Sequence, residues 1–261
     1  MGIEYLTFVG MPPEEFILLA AEAGYGALGL RLHGADPDET VPDLRVGRPR
    51  HREVASRLED TGLAVLDIEV FAVKAATDVT KWEPLLESGA ALGAQFVNVV
   101  ADDPDLARLT ASLHTLADIC RPLGLTPALE PMAWKTVSRL SVASKIAGEA
   151  GIRVQLDTLH LHRAGDTVDD VRALDPSIWS YVQWSDAPAI APSDIPLELR
   201  SEGRSARLAP GMGGLPLQEL RNALPAHLLW ATEVPSASNR ARVGDLQHAR
   251  DVREATEALF R

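Results

Sequence analysis

Four oxygen-bearing side chains stand where short apolar segments end in the second half of the chain: Glu130, Asp157, Gln183 and Glu233. Carboxylates brought close together repel one another and take up protons unless a cation compensates their charge. Three carboxylates and an amide oxygen form an all-oxygen ligand set, which suits Mn²⁺ or Mg²⁺ better than Zn²⁺. If the chain brings the four segments together, these residue types predict a divalent-metal site. Mn²⁺ is the expected metal, with Mg²⁺, Co²⁺ and Zn²⁺ as alternatives.

Each of the four side chains also has a simpler explanation when it is taken alone. Asp157 could cap the helix that follows it, and Gln183 could be a hydrogen-bonded amide in the core. Glu130 and Glu233 could be solvated carboxylates in loops. Chance placement of all four at the ends of consecutive apolar segments is a weaker explanation than a shared site built from strand ends. The set therefore favours a site, although no single residue decides it.

Short apolar segments rich in β-forming residues alternate with longer amphipathic ones along the chain. The four side chains belong to predicted strands at Thr126–Glu130, Ile152–Asp157, Ile178–Trp184 and Leu228–Glu233. Eight strand–helix pairs in 261 residues predict an α/β fold, a single (β/α)8 TIM barrel with a closed parallel sheet. A doubly wound open sheet is the main alternative. It is disfavoured because no Gly-x-Gly-x-x-Gly follows the first predicted strand, Tyr5–Val9.

Two proline-rich stretches, Asp36–Arg50 and Asp186–Gly214, lack a clear strand or helix pattern over most of their length. Loops of this length inside a compact domain are usually functional or mobile. We expect both to shape substrate specificity. No shift in composition marks a linker, so residues 1–261 are predicted to form one domain.

Composition and charge disfavour several classes of partner. The formal net charge of −12 disfavours nucleic acid and anionic membranes, because both would repel the surface. Cys120 is the only cysteine, so the chain forms no internal disulfide, as suits a reducing cytoplasm. No signal peptide is visible, and no apolar segment approaches the roughly 18 residues that span a bilayer. The sequence predicts a soluble cytoplasmic protein with a small-molecule partner.

Several motifs in the second half of the chain, taken together, resemble a known family. They are Leu129-Glu-Pro-Met-Ala-Trp134, Leu156-Asp-Thr-Leu-His160, Val182-Gln-Trp-Ser-Asp186, Glu202-Gly-Arg-Ser-Ala-Arg-Leu-Ala-Pro-Gly-Met-Gly213 and Thr232-Glu233. The sequence is similar to the xylose isomerase-like TIM barrels, a superfamily that includes sugar phosphate isomerases and epimerases. The resemblance implies a metal held by Glu130, Asp157, the residue at position 183, and Glu233. Many relatives carry histidine where this chain has Gln183. A neutral amide oxygen can replace the imidazole, but the exchange weakens the specific case for a sugar epimerase.

The resemblance also implies the chemistry of the site. Glu130 and Glu233 would exchange protons on opposite faces of a polyhydroxylated carbonyl substrate, through an enediolate. The metal would polarise the carbonyl and hydroxyl oxygens of that substrate. His160 would bind a substrate oxygen or relay a proton. Members of the family often form dimers or tetramers, so a homo-oligomer is a further expectation.

Other side chains are expected to bind the substrate because of their positions. Arg204 and Arg207 precede a glycine-rich turn, and arginine suits an anionic substrate group such as carboxylate or phosphate. Glu69 ends the third predicted strand and could bind a sugar hydroxyl, with Arg31 as its ion-pair partner. Trp134 adjoins Glu130 in sequence and is expected to wall the pocket.

Two interpretations of the reaction stay open at this stage. The first is a metal-dependent sugar or sugar-phosphate isomerase or epimerase. The second is a dehydratase of the dehydroshikimate or inosose type, in which loss of water follows the same proton abstraction. A phosphodiesterase like endonuclease IV is disfavoured, because such an enzyme holds three metals with several histidines and the seven histidines here show no such set. A catalytically inactive binding barrel is disfavoured by the three carboxylates.

Overall fold

Eight short strands form the inner layer of the protein. A computed structural model describes residues 1–34 and 39–261. The strands are β1 Gly2–Ile3, β2 Ala27–Arg31, β3 Ala64–Lys74, β4 Phe96–Asp102, β5 Thr126–Glu130, β6 Arg153–Asp157, β7 Trp179–Trp184 and β8 Leu229–Thr232. Each strand pairs in parallel with the next, and β8 pairs with β1, so that the sheet closes into a barrel. The predicted single (β/α)8 TIM barrel is confirmed.

Helices form the outer layer around the barrel. They are α1 Pro13–Glu22, α2 Pro49–Thr61, α3 Glu83–Ala91, α4 Leu106–Cys120, α5 Leu140–Ala150, α6 Thr158–Arg163, α7 Val168–Arg172, α8 Pro196–Ser205, α9 Leu217–Ala223, α10 Ala237–Val243 and α11 Asp245–Leu259. Parallel strands need such crossover connections, and the helices cover the outer face of the sheet. Over residues 1–34 and 39–261, none of these helices has both the length and the apolar character needed to cross a membrane.

The main core lies between the outer face of the sheet and the helices, and α4 shows how sequence periodicity builds it. Leu109, Leu113 and Leu116 recur at helical spacing and are fully buried, whereas Leu106 at the start of the helix is 41% exposed. Burying each leucine contributes roughly 1.5–3 kcal/mol. The apolar stripe therefore fixes which face of α4 meets the sheet.

The predicted first strand, Tyr5–Val9, is wrong. The strand is Gly2–Ile3, and Tyr5–Phe8 forms a short 3₁₀ helix after it. The aromatic residues in this segment are buried against a helix rather than within the sheet. The ring centroids of Tyr5 and Phe8 lie 5.8 and 6.0 Å from that of Phe16 in α1. A strand of two residues is too short to leave a periodic signal of its own.

The predicted irregular stretch Asp186–Gly214 is also partly wrong, because it contains the ten-residue helix α8. Only Leu199, Glu202 and Gly203 of α8 are buried, so the helix lacks the apolar stripe that would have marked it in the sequence. The first residues of the other predicted loop, Asp36–Arg50, fall outside the described part of the chain, and α2 already begins at Pro49.

Candidate active site

The four predicted ligand residues lie at the carboxyl mouth of the barrel. Glu130 is the last residue of β5, and Asp157, the last of β6, is in register with Gln183 of β7. Glu233 directly follows β8. All four residues are buried, with at most 4% of their surface exposed. Polar groups taken out of water in this way require compensating partners.

Glu130, Asp157 and His160 form a group that could hold a metal ion. One donor atom of each residue lies within 4.8 Å of the others. Asp157 also places His160, because its Oδ1 accepts the backbone N–H of His160 at 2.9 Å and so caps α6. Nε2 of His160 lies 3.6 Å from Oε1 of Glu130. The sequence left two roles open for Asp157, a helix cap and a member of a shared site. The Asp157 carboxylate caps α6 and also belongs to the group that could hold a metal.

Arg207 supplies a positive charge beside this group. Its guanidinium donates to Oδ2 of Asp157 at 2.5 Å and forms an ion pair with Glu233, whose Oε2 lies 2.8 Å from Nη2. It also donates to Ser185 Oγ at 3.2 Å and to the carbonyl of Gly203 at 2.8 Å. The residue is only 1% exposed. Arg207 thus links the carboxylates at the ends of β6 and β8, on either side of β7, and compensates part of their charge.

The amide of Gln183 supports the fit of a metal to this site. Both polar atoms of the amide are buried and lack a hydrogen-bond partner within the part of the chain that the structure describes. Leaving a buried polar group without a partner costs about 1–3 kcal/mol, which a ligand of the amide oxygen would offset. Carboxylate, imidazole and amide donors together suit a divalent metal. The residues present therefore fit the predicted cofactor class.

Burial dominates the ionisation of the site residues. Burial raises the pKa of Glu130 to about 8, and repulsion from Asp157 adds to the effect. Burial likewise raises the pKa of Glu233 well above its ordinary value, against the opposing attraction of Arg207. For Asp157 burial is outweighed by Arg207 and His160, so its pKa is lowered. Burial lowers the pKa of His160 to about 4, so its imidazole is neutral near neutral pH.

A chain of polar side chains that the sequence analysis missed runs through the barrel interior towards Glu130. Asn98 of β4 donates to Oε2 of Glu130 at 2.9 Å and to the hydroxyl of Tyr181 at 3.5 Å. The Tyr181 hydroxyl donates to Asp67 of β3 in a short hydrogen bond. Polar residues inside otherwise apolar predicted strands were the signal that could have found Asn98 and Asp67.

Glu4 and Asp67 form a second carboxyl pair inside the barrel. Both are fully buried. Gly29 makes room for them, because a Cβ atom at this position would lie 2.0 Å from Oε2 of Glu4 and 2.4 Å from Oδ1 of Asp67. Burial, with repulsion from Glu69, raises the pKa of Asp67 to about 7, and burial and repulsion from Asp67 raise the pKa of Glu4 well above its usual range. The carboxyl groups of Glu4 and Asp67 are therefore protonated more readily in the folded chain than in the unfolded chain.

Arg31 and Glu69 form the predicted ion pair, which is confirmed. Nη2 of Arg31 lies 3.2 Å from Oε1 of Glu69, and its Nη1 lies 2.9 Å from Oε1 of Glu39. Arg31 and Glu69 are both buried. Glu69 lies within β3 rather than at its end, because the strand continues to Lys74.

One cavity gathers every predicted catalytic and substrate-binding residue. Its wall includes Glu69, Glu130, Trp134, His160, Arg204, Arg207 and Glu233. The Trp134 ring meets the His160 ring edge-on, with centroids 4.5 Å apart. Trp134 also packs against α8, where a Cβ atom on Gly203 would lie 2.5 Å from its Cη2 atom. Trp134 therefore lies between His160 and the helix that carries Arg204.

The fold and the site define a parallel TIM barrel with a buried carboxylate cluster that could hold a divalent metal. The chain belongs to the xylose isomerase-like TIM barrel family, whose model matches residues 17–244. The resemblance carried by the short sequence motifs is thereby confirmed. No curated protein matches the chain in sequence.

Solved structures share the fold over nearly the whole chain at low sequence identity. The IolI protein, solved with a zinc atom bound, is 16% identical with a TM-score of 0.75, over 99% of this chain and 96% of that one. A xylose isomerase domain-containing protein of Salmonella typhimurium is 19% identical with a TM-score of 0.78, over 100% and 97%. A D-allulose 3-epimerase of Methylomonas, in complex with D-allulose, is 18% identical with a TM-score of 0.68, over 98% and 96%.

Proposed function

We propose that the protein is a divalent-metal-dependent isomerase or epimerase of a sugar or sugar phosphate. The observation that carries the proposal is the arrangement at the barrel mouth. Glu130, Asp157 and His160 place donor atoms within 4.8 Å of one another, and Glu233 lines the same cavity as Glu130. The sugar epimerases among the structural relatives support the substrate class.

Glu130 and Glu233 are the proposed acid and base. A group that transfers protons works best when its pKa lies near the working pH. Burial raises the pKa of both carboxyls, that of Glu130 to about 8. One carboxylate would remove a proton from the carbon beside the substrate carbonyl, and the other would return a proton to the opposite face. The Asn98 amide, which donates to Glu130, would hold that carboxylate in place.

A bound divalent metal would supply Lewis-acid stabilisation of the enediolate oxygens. Glu130, Asp157, Gln183 and Glu233 are the proposed ligands, and Mn²⁺ is the proposed ion. His160, neutral because burial lowers its pKa to about 4, would accept a hydrogen bond from a substrate hydroxyl or join the ligand set. Trp134 and Glu69 would contact the sugar, the ring by packing and the carboxylate by accepting from a hydroxyl.

Metal reconstitution against a panel of substrates tests this function. Chelator-treated protein would be reloaded separately with Mn²⁺, Mg²⁺, Co²⁺ or Zn²⁺ and offered ketoses, inososes and 3-dehydroshikimate. We expect a new sugar isomer that forms only with metal present. Products that absorb in the ultraviolet because water has been lost would replace the isomerase with the dehydratase. Equal conversion with and without metal would refute the proposed site.

Three further properties are also proposed. A single domain, a cytoplasmic location and a homo-oligomeric assembly follow from the sequence and from the family resemblance. Size-exclusion chromatography with light scattering would measure the oligomeric state directly.

A further inference from the structure

A second cavity lies on the outside of the barrel, between the sheet and the helices that cover it. Its volume is about 340 Å³, within the range of about 300–1,000 Å³ that is typical of small-molecule sites. Strands β7 and β8, helix α9 with the loop after it, and the last turn of α11 contribute the wall. The described wall residues are Val182, Trp184, Arg221, Asn222, Leu224, Pro225, Ala226, Leu228, Trp230 and Phe260.

The directions of the β7 side chains separate this cavity from the active site. Tyr181 packs with Leu66 of β3 and Ala128 of β5, which lie across the barrel from β7, so its side chain faces the interior. Successive side chains of a strand point to opposite faces of the sheet. Val182 and Trp184 therefore point outward, and the sheet lies between the cavity and the proposed metal ligands.

The cavity exists because α9 is too short to cover the strands beneath it. A helix of seven residues is about 10 Å long, whereas the six residues of β7 extend over about 20 Å. Leu224, Pro225 and Leu228 in the loop after α9 line the space beside the helix. Asn222 and Ala226 are exposed at its edge, so the cavity is open to solvent there.

Three aromatic rings give the cavity an ordered apolar wall. The rings of Trp230 and Phe260 stack, with centroids 4.1 Å apart and planes inclined by 10°. Trp184 meets Phe260 edge-on, with centroids 5.5 Å apart. The Arg221 guanidinium lies 5.2 Å from the Phe260 ring centroid and donates to the Phe260 carbonyl at 3.1 Å. Because aromatic rings prefer stacked or edge-on neighbours, this wall suits a further flat ring.

One polar group in the wall needs a partner. Trp184 is 2% exposed, and its Nε1–H is buried without a hydrogen-bond acceptor among residues 1–34 and 39–261. The indole N–H can only donate, and buried indole N–H groups usually have an acceptor. None of the described wall residues is an acid, histidine, lysine or cysteine. A molecule in this cavity would therefore be bound without being chemically changed.

We propose that this cavity binds a small planar aromatic molecule that carries a hydrogen-bond acceptor. The Trp184 indole N–H donates to the acceptor, and the Trp230 and Phe260 rings pack against the aromatic part. This site is separate from the proposed isomerase site but is joined to it through the backbone. Trp184 follows Gln183, and its carbonyl oxygen accepts the backbone N–H of Glu233 at 3.1 Å.

Nuclear magnetic resonance of the full-length, ¹⁵N-labelled protein tests the proposal, because the five tryptophans each give an indole N–H signal. The signals of Trp184 and Trp230 would be assigned by their loss in Trp184→Phe and Trp230→Phe. The protein would be titrated with acetophenone, an aryl ketone, and with ethylbenzene, which has a similar shape but no acceptor. We expect acetophenone to move both signals saturably, that of Trp184 towards lower field.

The Trp230 signal then compares affinities between variants. Trp184→Phe keeps an aromatic ring but removes the donor, so it should weaken acetophenone binding roughly two- to tenfold and change ethylbenzene binding less than about twofold. Trp179→Phe is the matched control, because Trp179 is a buried residue of β7 outside the wall, and it should leave both affinities unchanged. Ala226→Phe, at the exposed edge, should block both ligands without altering the core.

Three results would overturn the proposal. The first is no saturable shift of the Trp184 and Trp230 signals with acetophenone. The second is equal binding of acetophenone by wild type and Ala226→Phe, which would place the ligand elsewhere. The third is a shift of the Trp184 signal with protein concentration alone, which would mean that a second copy of the chain fills the cavity. None of these results depends on sugar conversion, so the isomerase proposal is tested separately.

Discussion

The guanidinium of Arg207 lies between the carboxylates of Asp157 and Glu233, 2.5 Å from the first and 2.8 Å from the second. The three groups are buried together at the barrel mouth. Opposite charges in such surroundings interact strongly, and each depends on the other to offset the loss of hydration. Arg207 is therefore a structural element of the candidate site, and it holds two of the proposed metal ligands in a fixed relation.

Replacing Arg207 by methionine should strongly destabilise the metal-free protein. Methionine has an unbranched side chain that fills part of the space of the arginine. It leaves Asp157 and Glu233 buried without their counter-ion. Removing one partner of a buried ion pair typically costs about 3–5 kcal/mol, and urea denaturation would measure the loss. Arg172→Met is the control, since Arg172 pairs with Asp169 on the surface. A loss as small as that of the control would mean that Arg207 does not compensate these carboxylates.

The Glu4–Asp67 pair should make metal-free stability depend on pH. The pKa of Asp67 is raised by burial from 3.8 to about 7 in the folded chain, so the folded state binds more protons than the unfolded state between these values. Stability should therefore fall as pH rises from about 4 to about 7.

Substituting Asp67 by asparagine should flatten this dependence. As pH rises from about 4 to about 7, the unfolding free energy of the variant, relative to that of the wild type, should increase by about 1 kcal/mol or more. Chemical denaturation at several pH values would measure it. Asp60→Asn, at an exposed position of α2, controls for the loss of one carboxyl group. A difference that does not change with pH would show that Asp67 is ionised in the folded protein.

Gly203→Ala should disturb the site through Trp134. A Cβ atom there would lie 2.5 Å from the Trp134 Cη2 atom, so the indole or α8 must move. We expect slower sugar conversion in the reconstitution assay and a partial recovery when Trp134→Phe removes the clashing part of the ring. Gly148→Ala is the matched control, because Gly148 lies within α5 and a Cβ atom there meets nothing within 4 Å. The control should be stabilised by about 1 kcal/mol. If Gly203→Ala converts the sugar as fast as Gly148→Ala does, the contact has no role in the site.

The sequence was sufficient for the barrel and for the place of Asp157 and Glu130, because both depend on local patterns. Apolar segments alternate with amphipathic ones, and each carboxylate ends such a segment. The partners of these carboxylates were harder to predict. Arg207 reaches Asp157 across 50 residues, and Asn98 reaches Glu130 across 32. Contacts between residues so far apart leave no periodic pattern in the sequence, so only the folded chain shows which polar groups compensate one another.

The helix α8 and the pair Glu4–Asp67 show two other limits. Few residues of α8 are buried, so the helix lacks an apolar stripe, and its arginines appeared to lie in a loop. Glu4 follows a strand of two residues, too short to be recognised from periodicity. In both cases the decisive contact is with one distant residue, Trp134 for Gly203 and Asp67 for Glu4.

Deuterium incorporation is the most direct test of the central claim that Glu130 and Glu233 transfer protons. Metal-loaded wild type, Glu130→Gln and Glu233→Gln would be incubated in D₂O with the sugar that the reconstitution assay identifies, and the recovered sugar would be analysed by mass spectrometry. Glu87→Gln, at an exposed position of α3, is the control, and elemental analysis would confirm that each variant retains metal.

We predict that wild type and the control place one deuterium on the carbon beside the carbonyl. Each of the other two variants should lose exchange or net conversion by about 10²–10⁴-fold while retaining metal. Conversion in D₂O without deuterium, or exchange and conversion at the wild-type rate in both Gln variants, would contradict the account.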